Sequence, residues 1–405
     1  MNSIEKNLAK AAGCKKVKVG EDIRCKVDLA VSHDVTGPIT IEQFKKIGLD
    51  QVFDPGKVMM VIDHIFPAAT IQARNNHISL KKFADHFGCK LFAQGQGVVH
   101  QLIYEEYKPA PGSIIIGADS HTCTAGGYGA LGIGVGSTEL AAAMATGTID
   151  LEVPEVVEIF LTGEFKDCVT AKDLILFLIN HFGTDGLTDK GVIFTGPAVI
   201  NLATAEKMTI CNMGIEMGAM ISCFGSENAE TDVGQRISIE LGDLEPVVAC
   251  PFSPANVKPL AAVAGIPITQ VVVGSCTNGR LKDMEQVVNI LKDYPVHKNV
   301  NMLVIPASQK ISAAMEELGY CKIIRDAGAV LVNPGCGPCF GAHQGLASDD
   351  DVVVSTTNRN FPGRMGSRKA QVYLASPITA AVAAVCGKLQ DPRKIAFKER
   401  TDYAY

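Results

Sequence analysis

The sequence is short of the features that mark membrane, secreted and nucleic-acid-binding proteins. It has no tryptophan, aromatic residues make up 6% of its 405 residues, and no run of about 18 apolar residues occurs, so no bilayer-spanning helix is expected. The formal net charge of −6 argues against binding to nucleic acid or to an anionic membrane, since both need a basic face. The first residues, MNSIEKNLAKAAGCKK, lack the apolar stretch of a signal peptide, and we expect a cytoplasmic protein.

Cysteine is plentiful by comparison, with thirteen residues scattered along the chain. Their odd number and wide spacing are unlike the disulfide frameworks of short secreted chains, so we expect reduced thiols. Most of them should be small buried apolar residues. The question is which of them have another role.

Short β-branched segments alternate with longer amphipathic ones along the whole chain. The predicted strands are Val58–Ile62, Ile114–Ile116, Val156–Leu161, Val271–Val273, Ala329–Val332 and Val352–Val354. The predicted helices are Met284–Leu291 and Thr138–Thr146, the latter with Thr138 as its N-cap and Gly147 as its stop. This alternation, with 39 glycines, is typical of an α/β protein in which helices cover parallel sheets.

The length exceeds what one hydrophobic core normally serves, so two or three domains are expected. The acidic, apolar stretch Glu152–Glu158 and the proline-marked stretch Leu244–Pro259 are the best candidate joints. They divide the chain into 1–151, 152–248 and 249–405, each near the usual size of a domain.

Residues suited to chemistry follow five predicted strands, at the end where open parallel sheets bind ligands. In chain order they are Asp63 and His64; Asp119, Ser120 and His121; Cys276; Cys336 and Cys339; and Asn358, Arg359 and Arg364. A purely structural protein has no reason to end five strands with acids, histidines, cysteines and arginines. We therefore predict that these residues converge on one site.

The pair Cys336 and Cys339 lies in a Gly/Pro turn, where two thiolates can face one metal centre with Cys276 as a third ligand. A structural zinc site normally takes two such pairs, and the sequence has no second one. A thioredoxin-like redox pair starts a helix and needs no third cysteine. Three thiolates with a vacant position suit an iron–sulfur cluster with one unliganded iron or, less well, a catalytic zinc, and the spacing leaves both open.

The two Asp-His pairs suggest acid–base chemistry, because a carboxylate can orient an imidazole for proton transfer. A single histidine at a strand end is more often structural. Two pairs beside three cysteines favour a functional role, and His100 is a weaker candidate.

Two further groups are suited to binding an acid. Arg359 and Arg364 share a Gly/Pro loop with Asn358, and guanidinium groups at a strand end can bind carboxylates through two hydrogen bonds. A helix over Met208–Ala219 would place Asn212 and Glu216 one turn apart on one face, although a helix cap or surface pair explains them equally well.

Four motifs together resemble the signatures of the aconitase superfamily: GADSHTCTAGGYG, VVVGSCTNGR, NPGCGPCFGAHQG and STTNRNFPGRMG. The resemblance is closest to the large subunits of 3-isopropylmalate dehydratase and its relatives. It extends from VSHDVTGP near the start to YLASPITAAVAA near the end. It implies three α/β/α domains around a [4Fe–4S] cluster whose fourth iron has no protein ligand and takes up the substrate.

The resemblance also implies a role for each matching residue. Cys276, Cys336 and Cys339 would bind the cluster. The acid–base and hydrogen-bonding network around the leaving hydroxyl would comprise Asp63, His64, His100, Asp119, Ser120 and His121. Asn212 and Glu216 match positions beside the substrate and the iron-bound water, while Asn358, Arg359 and Arg364 match residues that hold the cluster loop and bind substrate carboxylate.

A swivelling domain, whose serine removes the substrate proton in full-length aconitases, has no counterpart in this sequence. The resemblance therefore implies a separate small subunit that carries this serine, in a heterodimer or larger heteromer. The expected reaction is hydration and dehydration of a small di- or tricarboxylic acid of the malate type. The expected substrate is 3-isopropylmalate, as in leucine biosynthesis, with homocitrate/homoaconitate and 2,3-dimethylmalate as alternatives.

Two readings from other classes also remain open at this point. Some cluster-free relatives of aconitase are RNA-binding regulators, but the negative net charge and the missing domain argue against that role. The other is a binding module stabilised by zinc.

Overall fold

The computed structural model describes residues 1–93 and 95–395, which form a mixed α/β protein. The α-helices are α1 (Ser3–Ala11), α2 (Gly37–Lys46), α3 (Ile71–Phe87), α4 (Val99–Leu102), α5 (Ser137–Thr146), α6 (Ala171–Phe182), α7 (Thr204–Asn212), α8 (Ser275–Asn278), α9 (Leu281–Leu291), α10 (Gln309–Glu317), α11 (Tyr320–Asp326) and α12 (Pro377–Cys386). Within these ranges every helix is too short or too polar to cross a membrane.

The strands belong to four sheets. They are β1 (Asp22–Lys26), β2 (Leu29–His33), β3 (Val58–Val61), β4 (Lys90–Phe92), β5 (Ile114–Gly117), β6 (Leu131–Gly134), β7 (Thr148–Glu152), β8 (Glu155–Thr162), β9 (Lys190–Thr195), β10 (Ile221–Phe224), β11 (Gln235–Glu240), β12 (Val247–Ala249), β13 (Val257–Pro259), β14 (Gln270–Gly274), β15 (Asn301–Ile305), β16 (Val330–Leu331), β17 (Val352–Ser355) and β18 (Gln371–Leu374). The predicted α/β class and its parallel sheets are confirmed.

Two parallel sheets position the predicted site. The five-stranded sheet has the order β4-β3-β2-β5-β6, so the loops after β2, β3 and β5 lie side by side. The seven-stranded sheet has the order β13-β12-β18-β17-β14-β15-β16, and β14 pairs in parallel with both β15 and β17. The remaining sheets are the parallel β10-β9-β8-β11 and the antiparallel pair β1-β7.

Both faces of these two sheets are buried, as the continuous apolar runs predict for parallel strands. Along β14, Val271 and Val273 pack into one core while Val272 packs into another. Along β3, Val58 and Met60 lie on one side, and Met59 and Val61 on the other. Side chains alternate between the two faces of a strand, so both faces of these sheets are apolar and must be covered by helices or loops. Polar side chains are therefore left to the ends of the strands.

Each sheet takes its strands from one stretch of the chain, apart from the small pair β1-β7. The five-stranded sheet spans Leu29–Gly134, the four-stranded one Glu155–Glu240 and the seven-stranded one Val247–Leu374. The predicted boundaries at 151/152 and 248/249 fall inside β7 and β12, and the division into 1–151, 152–248 and 249–405 stays a prediction.

Two local predictions are wrong. The N-cap of α5 is Gly136 rather than Thr138, because the Glu139 side chain accepts a hydrogen bond from the Gly136 N–H at 2.8 Å and starts the helix at Ser137. Gly147 ends α5 as predicted, with φ 69°. The predicted strand Ala329–Val332 is confined to Val330–Leu331, an edge strand that pairs with β15 alone.

The continuous helix predicted over Met208–Ala219 is also wrong. Helix α7 ends at Asn212, and a separate 3-10 turn covers Gly214–Met217. Glycine is a poor helix former, and Gly214 follows the break directly. Asn212 and Glu216 therefore do not share one helical face, and the chain presents them to the site from two different elements.

Candidate active site

The three predicted cysteines are buried at the ends of strands of the seven-stranded sheet. Cys276 lies in α8 directly after β14. Cys336 directly precedes the 3-10 turn Gly337–Phe340 that follows β16, and Cys339 lies within that turn. Their exposed fractions are 6%, 7% and 4%. The Cys336 N–H donates to the Asp63 carbonyl oxygen at 2.9 Å, which joins this turn to the loop after β3.

The backbone before Cys276 is held in an unusual conformation. Gly274 has φ 132°, and a Cβ there would lie 2.0 Å from the Ile305 carbonyl oxygen, so this position requires glycine. The next residue, Ser275, has φ 66°, a left-handed conformation that costs a non-glycine residue roughly 1–3 kcal/mol. Such strain is typical of functional turns, and here it presents the Cys276 side chain to the interior.

Side-chain amides and an arginine surround the sulfur atoms. The Nδ2 groups of Asn212 and Asn358 lie 3.4 and 3.6 Å from the Cys276 Sγ. The Arg364 Nη2 lies 4.0 Å from the Cys339 Sγ, and the Asn358 Oδ1 lies 3.7 Å from that sulfur. N–H donors and a guanidinium group stabilise thiolates, so these surroundings suit sulfur atoms that bind a metal.

Without a bound metal, Cys276 and Cys336 hold their protons. Burial raises the pKa of Cys276 to about 11, and the charge of Cys339 adds to the rise. Burial also raises the pKa of Cys336 well above its usual value, assisted by the charges of Asp63 and Cys276. Metal binding at these cysteines must therefore release protons.

The spacing of the sulfur atoms bears on the choice between zinc and a cluster. Around one tetrahedral zinc, sulfurs at about 2.3 Å from the ion are about 3.8 Å from one another. In the described ranges, the one set of three or more His, Cys, Asp or Glu residues with ligand atoms within 4.8 Å of each other is His33, Asp34, Asp63 and His64, and it contains no cysteine. In a cluster each thiolate binds a different iron, which spreads the sulfurs further apart. The donor set thus fits a cluster better than zinc.

Asp119 is the centre of the acid–base residues. Its Oδ2 lies 3.4 Å from His100 Nε2, 3.5 Å from His33 Nε2 and 3.8 Å from His64 Nε2, and its Oδ1 lies 3.3 Å from His121 Nδ1. Burial would raise the pKa of Asp119, but the charge and hydrogen bond of His100 and the hydrogen bond of His121 hold it well below the usual value. The carboxylate is therefore ionised at any pH at which the protein works.

His33 and His64 form a stacked pair, with ring centroids 3.8 Å apart. Burial would lower the pKa of His64, but the charge and hydrogen bond of Asp63, 2.8 Å from His64 Nδ1, raise it to about 9. Burial and the neighbouring charge of His64 lower the pKa of His33 to about 4. At neutral pH His64 carries a proton and a positive charge, while His33 is neutral.

Asp34 fixes the loop that carries these groups. Its two carboxylate oxygens accept the backbone N–H groups of Asp63, His64 and Ile65 at 2.9–3.0 Å. The Asp63 Oδ2 accepts the Val99 N–H at 2.7 Å. Because these oxygens are already occupied, we interpret the set of His33, Asp34, Asp63 and His64 as a hydrogen-bond network rather than a metal site.

Glu216 links the histidines to the arginine loop. Its Oε1 lies 3.1 Å from His121 Nε2 and accepts a hydrogen bond from Arg359 Nε at 2.7 Å. Arg359 Nη2 donates to Ser120 Oγ at 3.0 Å. Asn212 occupies the other side, where its Oδ1 accepts from Asn358 Nδ2 at 3.2 Å. The arginine loop thus joins the acid–base residues to the cysteines.

Several buried polar atoms in this region have no hydrogen-bond partner among the described residues, and Arg364 Nε and His100 Nδ1 are two of them. A buried donor without a partner costs roughly 1–3 kcal/mol, so a ligand that accepts from it is expected. For Arg364 a substrate carboxylate is a suitable acceptor.

The structure brings together every predicted site residue, including the weaker candidate His100, although their roles stay predictions. Sequence reasoning missed His33, Asp34, Lys172 and Arg280. His33 and Asp34 end β2, so applying the same strand-end rule to Leu29–His33 would have found them. Arg280 stands in the VVVGSCTNGR motif, and its Nη2 donates to the Cys276 carbonyl oxygen at 2.7 Å. For Lys172 no sequence signal stands out.

Comparison with known proteins agrees with this geometry. Residues 7–233 and 258–387 match the Aconitase family (aconitate hydratase). The chain is 40% identical to 3-isopropylmalate dehydratase large subunit 1 of Methanopyrus kandleri, over 96% of this chain and 98% of the relative. It is also 40% identical to the probable methanogen homoaconitase large subunit of Methanothermobacter thermautotrophicus, over 98% of each chain.

A solved structure supports the fold. The holo-form of Thermococcus kodakaraensis aconitase X aligns with a TM-score of 0.52 and 12% identity, covering 85% of this chain and 88% of that one. At this identity the likeness concerns the fold alone. Since the family match covers most of its length, the chain belongs to the aconitase family.

Proposed function

We propose that this chain is the cluster-binding large subunit of a hydro-lyase that removes and adds water on a malate-type 2-hydroxy acid. One observation carries the proposal. Three buried cysteines, whose sulfur atoms are not all within 4.8 Å of one another, border a network of ionised carboxylate and protonated imidazole through the contact of Cys336 with Asp63. The names of the two relatives, both large subunits of such enzymes, point the same way.

The residues that would hold a [4Fe–4S] cluster are Cys276, Cys336 and Cys339. When bound, such a cluster supplies an iron with an open position that acts as a Lewis acid toward the substrate hydroxyl. Asn212 and Asn358 direct N–H groups toward the Cys276 sulfur. Hydrogen bonds of this kind tune the charge on thiolate ligands.

His64 is our candidate for the proton donor to the leaving hydroxyl. Hydroxide is a poor leaving group, so dehydration needs an acid at that oxygen. His64 holds a proton at neutral pH because Asp63 raises its pKa to about 9. Asp119, whose Oδ2 lies 3.8 Å from His64 Nε2, would keep that nitrogen directed into the site.

The arginine loop is our candidate for the carboxylate site. Arg364 has a free Nε among the described residues, so this nitrogen can donate to a substrate carboxylate without breaking another hydrogen bond. Arg359 is already paired with Glu216 and Ser120, which suits a residue that holds the loop and contributes its remaining donors. Negative charge that develops beside a carboxylate during proton removal would be stabilised by these guanidinium groups.

The pH dependence of kcat/KM tests the role of His64. The proton on His64 is lost as the pH rises through about 9, so activity should fall tenfold per pH unit above that value. In Asp63→Asn the partner that raises the pKa is gone and burial dominates, so the alkaline limb should move down by at least about one pH unit. Asp85→Asn, a change on the exposed face of α3, is the control and should keep the limb in place. An unmoved limb in Asp63→Asn would contradict the assignment.

We also propose a partner and a compartment. The partner is a small swivel-domain subunit that carries the catalytic serine, as the large-subunit names of the relatives suggest. The compartment is the cytoplasm, because all thirteen cysteines are free thiols and a cluster site needs reduced sulfur.

The proposed substrate is 3-isopropylmalate, with homocitrate and 2,3-dimethylmalate as alternatives. The test is kcat/KM for each acid with the enzyme assembled from both subunits, followed through the absorbance of the unsaturated product. We expect at least about a tenfold preference for 3-isopropylmalate over 2,3-dimethylmalate, since one carbon in an apolar pocket is worth roughly 1–3 kcal/mol. A similar or larger preference is expected over homocitrate, whose additional carboxylate is costly to bury in an apolar pocket. A preference for homocitrate would correct the substrate, and dehydration of none of the three would overturn the function.

A further inference from the structure

Lys172 is a fully buried lysine behind the cysteines, with an exposed fraction of 0%. It lies in the first turn of α6, where the helix dipole disfavours a cation by roughly 0.3–1 kcal/mol. Burial of an ammonium group costs several kcal/mol more unless its charge and donors are matched. Neither the helix nor the core explains a lysine here.

The Lys172 ammonium group donates hydrogen bonds to two of the loops that carry site residues, the one after β14 and the one after β17. Its Nζ donates to the carbonyl oxygens of Thr356 and Thr357 at 2.7 and 2.6 Å, directly before Asn358. It also donates to Asn278 Oδ1 at 3.4 Å, two residues after Cys276. All three of its donors are used, and one side chain fixes the end of β17 against the turn after β14.

The charge of Lys172, unlike its donors, is not matched by a direct partner. Among the described residues it forms no ion pair. The neighbouring carboxylates are occupied: Asp283 accepts from Asn278 and Arg280, and Asp173 from Thr170 and Val247. Burial lowers the pKa of Lys172 to about 7, while the charge of Asp283 and, when ionised, those of Cys339 and Cys276 act in the opposite direction.

The space around Lys172 excludes a role in binding the acid substrate. The cavity beside it has a volume of about 10 Å³, which is room for one water molecule. A carboxylate ligand does not fit there. The thiolates of Cys339 and Cys276 would therefore add to Asp283 in balancing the ammonium group.

We propose that Lys172 is a positioning residue for the metal centre, which fixes the Cys276 and Asn358 loops to each other and supplies buried positive charge that offsets the three thiolates. This inference rests on the proposed cluster. It predicts that the lysine governs how firmly the cluster is held and how easily it accepts an electron, because each added electron increases the negative charge that the ammonium group stabilises.

The test compares Lys172→Met with Lys282→Met in the full chain reconstituted with iron and sulfide. Lys282 lines the same cavity but is 45% exposed in its side chain and pairs with Glu206. In Lys172→Met we expect the chromophore to be lost at least about tenfold faster to a chelator. The equilibrium constant for reduction should fall about tenfold, which is about 59 mV for a one-electron couple. Lys282→Met should match the parent in the rate of chromophore loss and in the equilibrium constant for reduction.

Each outcome has a defined meaning. Equal chromophore lifetime and equal potential in Lys172→Met, Lys282→Met and the parent overturn the inference and leave the proposed function intact. A parent chain that takes up no iron or sulfide overturns the proposed function instead. If Lys172→Met does not fold, the Lys172→Arg variant provides the test. Arginine keeps the positive charge but cannot place three donors on Asn278 Oδ1 and the carbonyl oxygens of Thr356 and Thr357. For Lys172→Arg we expect the reduction potential of the parent and a shorter chromophore lifetime in the presence of a chelator. An unchanged chromophore lifetime contradicts the positioning role.

Discussion

Cys276→Ala should lose iron and sulfide to background levels and lower kcat/KM at least about a thousandfold, equivalent to about 4 kcal/mol of barrier. Three thiolates bind three irons of a [4Fe–4S] cluster and leave the fourth open. With Cys276 gone, two ligands from one turn remain, and the amides of Asn212 and Asn358 face an apolar methyl group instead of a sulfur. The measurement is iron and sulfide per chain after anaerobic reconstitution, together with the visible spectrum.

The protons that the empty site holds explain the size of this effect. Burial raises the pKa of Cys276 to about 11, so the apo-protein holds a proton on that thiol at neutral pH. Metal binding must displace these protons, and the free energy for this comes from all of the metal–sulfur bonds together. Losing one thiolate removes a bond and leaves the amides without an acceptor, so the remaining pair is too weak a site.

The matched control is Cys321→Ala. Cys321 is 1% exposed and packs in the same hydrophobic core as Cys276. It removes an equal volume of buried sulfur but no ligand, so it should cost stability without changing iron content. Full iron and sulfide in Cys276→Ala would contradict the ligand assignment, and stoichiometric zinc in place of iron in the parent would favour the zinc reading.

Much of the site could be predicted because its chemistry stands at strand ends. Parallel strands are apolar along their length, so a polar group directly after one is conspicuous, as with Asp119 after β5 or Cys276 after β14. Adjacency of the strands then brings these groups together. The order β3-β2-β5 places Asp63 and Asp119 beside each other, and it could not be deduced from one sequence.

The failures share a physical cause, which is that tertiary contacts overrode local patterns. The segment Met208–Ala219 is apolar enough for one helix, yet it breaks after Asn212 and resumes as a short turn that presents Glu216 to His121. Lys172 has the composition of an ordinary surface residue in an amphipathic helix. Only the fold shows that its neighbours are carbonyl groups from residues more than 180 positions away along the chain.

The isolated chain should bind its cluster but show no turnover until the small subunit is added. Dehydration needs a base at the substrate carbon as well as an acid at its hydroxyl. In the described part of the site, the three carboxylates are already engaged: Asp63 by His64, Asp119 by four histidines and Glu216 by Arg359. Since none of them is free to take a proton from carbon, and the neutral ring of His33 is stacked against His64, we expect the base to come from the proposed small subunit.

The rim of the site offers a surface for that partner. Phe361 and Phe252 are 39% and 43% exposed, and their segments are joined by a hydrogen bond from Asn360 Nδ2 to the Cys250 carbonyl oxygen at 2.9 Å. Phe361 lies in the same loop as Arg359 and Arg364. A subunit that covers this loop would bury the phenyl rings and close the carboxylate site in one step.

Titration of the small subunit into the cluster-loaded chain measures both claims. The rate should rise from background to a plateau, and Phe361→Ser should raise the half-saturating concentration about three- to sevenfold, since burying the exposed 39% of this side chain is worth roughly 0.6–1.2 kcal/mol. Leu318→Ser, which changes an apolar residue of 55% exposure after α10, should leave the curve unchanged. Turnover by the isolated chain at the plateau rate would mean that one of the engaged carboxylates acts as the base after all. A curve unaffected by Phe361→Ser would place the subunit on another face.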